Sequence, residues 1–169
     1  MRAVVDLRVE PSPAAEVADM LEANVRRETV AASGHGDEAE FAVLAGDDRE
    51  LRGGISGWTW GGCCELTNLW VDPRLRGHGL GSRLLARAEE EALARGCRQI
   101  VLFTHDVQAS PGFYERRGYE LVGRVEDYPR GSAALWYRKP GYRLAGGGDQ
   151  GAGAGAAAAG PPPRPPAAA

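Results

Sequence analysis

The sequence lacks the long apolar segments that mark membrane and exported proteins. Its longest stretch without a charged residue, residues 150–163, is 14 residues of glycine, alanine, proline and one glutamine. A membrane-spanning helix needs roughly 18 apolar residues. At the N-terminus, Arg2 and Asp6 leave no room for the apolar stretch of a signal peptide. We therefore expect a cytoplasmic protein with no membrane partner.

Cysteine is also scarce. The chain has three, Cys63, Cys64 and Cys97, and no two of them have the C-x-x-C spacing typical of zinc sites. An odd number of cysteines without a secretion signal is typical of reduced thiols in the cytoplasm. We expect no bound metal.

Positive charge does not exceed negative charge. The chain has 20 Lys and Arg residues, of which Lys139 is the only lysine, against 23 Asp and Glu, and the net charge is −3. This balance does not favour nucleic acid as a partner. With 43% hydrophobic residues among 169, the chain can form one packed domain.

The C-terminal segment differs in composition from the rest. Residues 145–169 comprise 10 Ala, 7 Gly, 5 Pro and three other residues. Such a segment has almost no side chain to bury, so ordering it would lose backbone entropy without compensation. We predict a folded domain over residues 1–144 and a disordered tail over 145–169.

Hydrophobic patterns and turn residues predict an α+β fold with the order β-α-β-β-β-α-β-α-β-β. Ser12 and Pro13 predict the start of the first helix, and Gly96 predicts the end of the second. The predicted strands are 4–9, 41–44, 51–60, 63–71, 100–103, 119–125 and 133–138, and the predicted helices are 13–29, 80–95 and 111–117. This order gives seven strands with a parallel crossover in the middle.

The loop between the predicted strand 63–71 and the helix from residue 80 has the composition of an anion site. Gly77, Gly79 and Gly81 alternate there, so the backbone can approach a ligand closely and direct several N–H groups at it. The helix start adds its positive dipole end, and Arg74, Arg76 and Arg83 would add charge. The pattern favours a pyrophosphate.

Two common phosphate-binding loops do not fit this segment. A Walker loop needs Gly-Lys-Ser/Thr, and no lysine is present here. A Rossmann loop has its glycines directly after the strand, whereas residues 72–76 separate them here.

Two motifs resemble those of one family. Arg74-x-x-Gly77-x-Gly79 matches the Q/R-x-x-G-x-G/A signature of the GNAT superfamily of acyl-CoA-dependent N-acetyltransferases. Residues 69–85 resemble motif A of that family, and residues 112–120, Gly-Phe-Tyr-Glu-Arg-Arg-Gly-Tyr-Glu, resemble motif B. The resemblance implies a mixed, mostly antiparallel sheet flanked by helices, with a splayed parallel pair at its centre.

The resemblance also implies a co-substrate and its binding residues. The co-substrate is acetyl-CoA, with its pyrophosphate on the loop amides of residues 76–81 and its pantetheine arm along the backbone of residues 69–71. A backbone N–H there would polarise the thioester carbonyl. The implied acetyl-CoA-binding residues are Leu69, Trp70, Val71, Arg76, Gly77, His78, Gly79, Leu80, Gly81 and Ser82.

Tyr114 matches the tyrosine that is proposed, in that family, to donate a proton to the departing thiolate. The alternative role for this side chain is packing between helix and sheet. Glu65 stands where some GNAT branches carry a catalytic glutamate, and its alternative is a solvent-facing residue of a strand. Thr67 and Asn68 hold positions where relatives often have another acidic residue. A water-linked proton path is the alternative to Glu65 as base.

The roles of two other groups of residues stay open at this point. His105 and Asp106 would relay a proton or, as we expect, cap a turn. Trp58, Trp60, Trp70 and Tyr128 would line an acceptor pocket or pack in the core.

We therefore predict an N-acetyltransferase that moves an acetyl group from acetyl-CoA to a primary amine, favouring a small molecule, in one ternary complex. No cysteine stands where it could carry the acyl group. The alternatives are a non-catalytic acyl-CoA-binding regulator and a protein lysine or N-terminal acetyltransferase. The family also allows a homodimer in which the last strands pair.

Overall fold

The computed structural model describes residues 6–47, 50–108 and 112–141. They fall into two compact units, the first ending at Gly36 and the second beginning at Asp37. The first unit holds helix α1 (Ala15–Ser33). The second holds helix α2 (Leu80–Ala94) and the strands β1 (Ala39–Gly46), β2 (Leu51–Trp60), β3 (Cys63–Val71), β4 (Gln99–His105), β5 (Glu120–Glu126) and β6 (Ala133–Pro140).

The first unit corrects two predictions. Residues 6–9, predicted as part of a strand, form none, while residues 4 and 5 lie outside the described residues. Helix α1 begins at Ala15, with Ala14 as N-cap and no capping side chain, so Ser12 does not cap it. It runs four residues beyond the predicted end, to Ser33, because only Gly34, with φ of 75°, leaves the helical conformation.

The sheet of the second unit has the strand order β1-β2-β3-β4-β6-β5. All neighbouring strands are antiparallel except β3 and β4, which are parallel. The predicted bounds of β2 and β3 are confirmed. The described residues therefore form six strands instead of the predicted seven, and the α+β class and the parallel crossover are confirmed.

Helix α2 makes the crossover from β3 to β4, and its apolar side packs on one face of the sheet. Leu84, Leu85, Ala88 and Ala92 are buried, as their helical spacing predicts. They join a core to which the sheet contributes Ile55, Cys64, Leu66, Ile100, Leu102, Leu135 and Tyr137. Gly96 follows the helix with φ of 81°, as predicted. We call this sheet face the α2 face.

The predicted helix over residues 111–117 is wrong in its described part. Residues 112–118 form a turn and one 3-10 turn, Glu115–Arg117. Gly112 and Gly118 have φ of 69° and 82°, and the segment between two such left-handed positions is too short for an α-helix. The predicted tail over 145–169 lies outside the described residues. None of the helices in the described segments combines the length and hydropathy of a membrane span.

Candidate active site

The glycine-rich loop presents a run of free main-chain N–H groups. The N–H of Arg76 donates to the carbonyl of Pro73 at 3.4 Å, and that of Arg83 donates to Gly79 at 3.1 Å. Between them, the amides of residues 77–82 donate to no acceptor in the described segments. The last three open α2, so the positive end of the helix dipole adds to them. This arrangement can bind an anion such as a pyrophosphate.

The three loop glycines differ in backbone conformation and in the space around them. Gly77 and Gly79 have φ of 78° and 83°, and a Cβ added at either would meet no atom within 4 Å. Glycine is therefore required by the backbone conformation, and the space beside both residues is open to a ligand. At Gly81, whose φ is ordinary, a Cβ would lie 3.6 Å from Val71 and 3.8 Å from Phe113. A methyl group at Gly81 would therefore make ordinary van der Waals contacts with strand and turn, and neither space nor backbone conformation requires glycine there.

Arg74 contributes less charge to the loop than its sequence position suggests. Its Nη2 lies 2.5 Å from Oδ2 of Asp72 and 3.1 Å from Oε1 of Glu50. Hydrogen bonds from Arg74 lower the pKa of the buried Asp72 carboxyl to about 2. Arg74 is thus paired with two carboxylates and braces the turn after β3, which leaves less of its predicted positive charge for an anion at the loop.

The other loop side chains make mostly local contacts. Nε of Arg76 donates to the carbonyl of Val71 at 3.0 Å. Nδ1 of His78 lies 2.8 Å from the carbonyl of Arg76, so it donates there and the ring closes the loop on itself. The Arg83 side chain is exposed and has no acidic partner in the described part of the chain. Together with the two Nη groups of the exposed Arg76, for which the described residues provide no acceptor, the Arg83 guanidinium stays available to an anion.

β3 and β4 separate halfway along their length. Their parallel pairing ends at Leu66 and Leu102, although β3 continues to Val71 and β4 to His105. The register against β2 shows the cause, because Ser56 pairs with Asn68 while Gly57 pairs with Leu66.

Thr67 is therefore an extra residue, a β-bulge that bends β3 away from β4. The backbone of residues 69–71 thus borders a gap, in agreement with the splayed pair that the resemblance implied. Nothing in the sequence pattern indicated the bulge itself.

Tyr114 lies on the α2 face with its hydroxyl free. Its ring packs against the core and contacts the rings of Phe113, Tyr119 and Tyr137 at centroid distances of 5.0–5.6 Å. The hydroxyls of Tyr119 and Tyr137 donate to Glu89 and Glu115 at 3.0 and 2.5 Å. The Tyr114 hydroxyl makes no such bond within the described residues. Burial raises its pKa, so it stays protonated and can donate a proton.

Arg117 connects this segment to the start of α2, a contact that was not predicted from the sequence. Its guanidinium donates to Oγ of Ser82 and, at 2.6 Å, to the carbonyl of Phe113. It also lies 3.9 Å from the centre of the Phe113 ring. This holds a positive charge beside the free amides. An arginine in a short turn carries no pattern that would have indicated this contact.

Glu65 lies on the opposite sheet face. It pairs with Trp58 on β2 and with Val101 on β4, one position before the last pair of β3 and β4, while its neighbours Cys64 and Leu66 point into the core. Burial raises the pKa of its carboxyl, which makes the carboxylate a stronger base than an exposed glutamate.

Aromatic side chains surround this face. Trp58, Trp60, Trp70 and Tyr128 are all outside the core, and Trp70 and Tyr128 are 44% and 47% exposed. On the β4 side of the gap, the Phe103 ring lies 4.8 Å from those of His105 and Trp136 and 6.3 Å from that of Tyr128. Of the three tryptophans and one tyrosine considered for an acceptor pocket, Trp70 and Tyr128 are thus available to a ligand, while Trp58 and Trp60 are partly buried.

Asp106 braces a turn, as expected. It accepts hydrogen bonds from the Ser132 hydroxyl and, at 3.1 Å, the Ala133 N–H, which lower its pKa. His105 contacts the side-chain oxygen of Gln108 at 3.3 Å and the edge of the Tyr128 ring.

Comparison with known proteins agrees with this geometry. The model of the Acetyltransferase (GNAT) family matches residues 1–119. The chain is 48% identical over 98 residues to the blasticidin-S acetyltransferase of Streptomyces morookaense, which covers 56% of this chain and 69% of that protein.

Two solved structures extend the similarity to the fold. An acetyltransferase from Bacillus cereus superposes with a TM-score of 0.68 at 26% identity, over 79% of this chain and 97% of that chain. An aminoglycoside 6'-acetyltransferase type Ii superposes with a TM-score of 0.52 at 32% identity, over 60% of this chain and 68% of that chain. The chain therefore belongs to the GNAT acetyltransferase family and is an acyltransferase.

Proposed function

We propose that this protein transfers the acetyl group of acetyl-CoA to a primary amine of a small molecule, directly, in a ternary complex. The observation that carries the proposal is the run of free amides at residues 77–82, placed directly after the strand that splays away from β4. An anion-binding loop and a gap between parallel strands together fit a long phosphorylated ligand.

The residues around the loop fit the pyrophosphate and pantetheine parts of that ligand. The open space at Gly77 and Gly79 lets phosphate oxygens approach the amides of residues 77–82. Apart from the Val71 carbonyl, which accepts a hydrogen bond from Arg76, the main-chain groups of residues 69–71 that face the gap are available to the amide groups of a pantetheine arm. The bound molecule supplies an acetyl thioester.

Glu65 and Tyr114 would serve the two proton transfers from opposite faces of the sheet. The amine nitrogen forms a bond to the thioester carbon, and Glu65 takes the proton that the nitrogen loses. The carbon–sulfur bond breaks, and the Tyr114 hydroxyl protonates the thiolate. The raised pKa of each group suits its role, because Glu65 gains basicity and Tyr114 remains protonated.

Cysteine chemistry supports direct transfer. Burial raises the pKa of Cys63 to about 11 and that of Cys64 to about 12, and it also raises the pKa of Cys97. All three thiols are therefore protonated at neutral pH, and a thiol is a poor nucleophile compared with a thiolate.

The acceptor proposal rests on the exposed rings around Glu65 and on two relatives. Their names give blasticidin-S and an aminoglycoside as substrates. Aromatic surface beside a carboxylate suits a cationic small molecule, since ring faces attract cations and the carboxylate attracts ammonium groups.

Titration calorimetry with acetyl-CoA and free coenzyme A tests the donor site. We expect saturable micromolar binding that a Gly77→Glu/Gly79→Glu variant loses. A screen for thiol release with blasticidin-S, an aminoglycoside, 2-phenylethylamine and tryptamine then tests for acetyl transfer. Absence of acetyl-CoA binding would overturn the proposal, and binding without release of thiol by any amine would favour a non-catalytic role.

Tyrosine variants test the proton donor. We expect Tyr114→Phe to lower kcat about 10²-fold, in the range of general acid catalysis, while acetyl-CoA affinity is retained. Tyr137→Phe is the matched control, because it removes a hydroxyl already bonded to Glu115 from an adjacent ring. Equal activity of Tyr114→Phe and wild type would show that Tyr114 is not the acid.

A further inference from the structure

A closed hydrogen-bond network occupies the bulge of β3, on the face that carries Glu65. The Thr67 hydroxyl donates to the carbonyl of Ser56 at 3.2 Å, which uses its single proton. The hydroxyls of Ser56 and Thr67 lie 3.0 Å apart, so Ser56 must be the donor between them. Nδ2 of Asn68 lies 3.0 Å from the Ser56 hydroxyl and 3.2 Å from that of Thr67, and it donates to both.

This proton count determines which way the Asn68 amide points. With the amide reversed, its oxygen would lie beside the Thr67 hydroxyl, which has no proton left to donate. Two lone pairs would then face each other. The network therefore holds Nδ2 against the strands and directs Oδ1 away from them. Asn68 is exposed, and no donor among the described residues reaches Oδ1.

Strand register places this oxygen close to Glu65. Asn68 pairs with Ser56, and Glu65 pairs with Trp58, two residues further along β2. Side chains two residues apart on a strand share a face and are separated by roughly 7 Å. The Asn68 oxygen and the Glu65 carboxylate therefore flank the position where β3 and β4 separate. The roughly 7 Å separates the backbones of the two residues. One amine nitrogen can bridge two acceptor oxygens that lie about 5 Å apart. The Glu65 side chain is long enough to bring a carboxylate oxygen that near to Asn68 Oδ1.

We propose that Asn68 Oδ1 and the Glu65 carboxylate each accept one N–H of the acceptor amine, a proposal that rests on the proposed function. Asn68 is then a residue that determines specificity for primary amines. A neutral primary amine has two N–H groups and keeps its lone pair for the thioester carbon. As the nitrogen–carbon bond forms, one proton passes to Glu65, and the product amide keeps its remaining N–H on Asn68.

A secondary amine cannot satisfy this arrangement. It has one N–H, so a methyl group would face either Asn68 Oδ1 or Glu65 and strip that oxygen of water without a hydrogen bond in return. The acceptor class is therefore an unsubstituted primary amine, and N-methyl amines should be rejected even where the rest of the molecule binds well.

The test compares matched amines. The probes are blasticidin-S, 2-phenylethylamine and tryptamine, each with the N-methyl derivative of its primary amine. We expect wild-type kcat/KM to be at least tenfold higher for the primary member of a pair that is acetylated. Asn68→Ala should reduce this ratio toward one, and Ser56→Ala, which releases one anchor of the amide, should reduce it partially. Acetyl-CoA affinity by calorimetry serves as the folding control for both variants.

The outcomes separate this inference from the proposed function. Equal rates for primary and N-methyl amines, or an unchanged ratio in folded Asn68→Ala, overturn the role of Asn68 and leave acetyl transfer intact. A wild-type protein that binds acetyl-CoA and acetylates none of the primary amines overturns both.

Discussion

Gly79 and Gly81 lie two residues apart at the start of α2, yet one added methyl group should change stability in opposite directions at the two positions. At Gly79 the new Cβ meets no atom within 4 Å, so the cost comes from the backbone alone. Holding alanine at φ of 83° costs about 1–2 kcal/mol. At Gly81 φ is ordinary and the new Cβ contacts Val71 at 3.6 Å without a clash. Alanine in place of a helical glycine stabilises by roughly 0.5–1 kcal/mol.

Urea unfolding without acetyl-CoA measures both effects. We expect the free energy of unfolding to fall in Gly79→Ala and to rise in Gly81→Ala, with a difference of about 2 kcal/mol between them. Gly79→Asn should fall less than Gly79→Ala, because asparagine tolerates the left-handed conformation better. Equal changes in the two alanine variants would refute the loop conformation on which the anion site depends.

Three further predictions concern charged side chains. The ratio of wild-type to Glu65→Gln activity should rise with pH through the raised pKa of Glu65 and then level off at about 10²; a pH-independent ratio would exclude Glu65 as base. Arg117→Met should weaken acetyl-CoA binding roughly 3–10-fold in calorimetry, since the cation beside the α2 amides is lost. The control Arg116→Met, at an exposed arginine one position away, should weaken binding less. Equal effects of the two variants would contradict a specific role of the Arg117 position. Because Arg74 lowers the pKa of Asp72 from 3.8 to about 2, the stability that this pair contributes is complete above pH 3.8 and is lost as pH falls toward 2. Asp72→Asn should abolish that part of the pH dependence of the free energy of unfolding in urea. An unchanged pH profile would disprove the contribution of the pair.

Much of the fold was predictable because its signals are local. β2 and β3 have the predicted bounds since alternating residues and the Gly61-Gly62 turn delimit them. The buried side of α2 follows from helical spacing, and the loop glycines follow from the need for a left-handed backbone. The predicted helix start at Ser12 failed because the helix begins three residues later, at Ala15, without a capping side chain.

Contacts between distant segments account for what the sequence could not predict. Arg117 and Ser82 are 35 positions apart and meet only because the motif B turn folds onto the start of α2. Arg74 forms ion pairs with Asp72 and Glu50, and the position of Glu50 follows from the β1–β2 hairpin. The sequence showed these charges, but their partners depend on tertiary structure.

The sequence by itself determined the α+β class, the glycine-rich loop after β3 and the candidates Glu65 and Tyr114, because motifs and periodicities lie in neighbouring residues. Only the tertiary structure decided that Thr67 is a bulge, that β3 and β4 separate beyond Leu66, and that Asn68 directs its oxygen outward. The physical reason is that strand register and hydrogen-bond direction depend on which strands pair. The residue type at a position does not by itself determine its partner on the neighbouring strand.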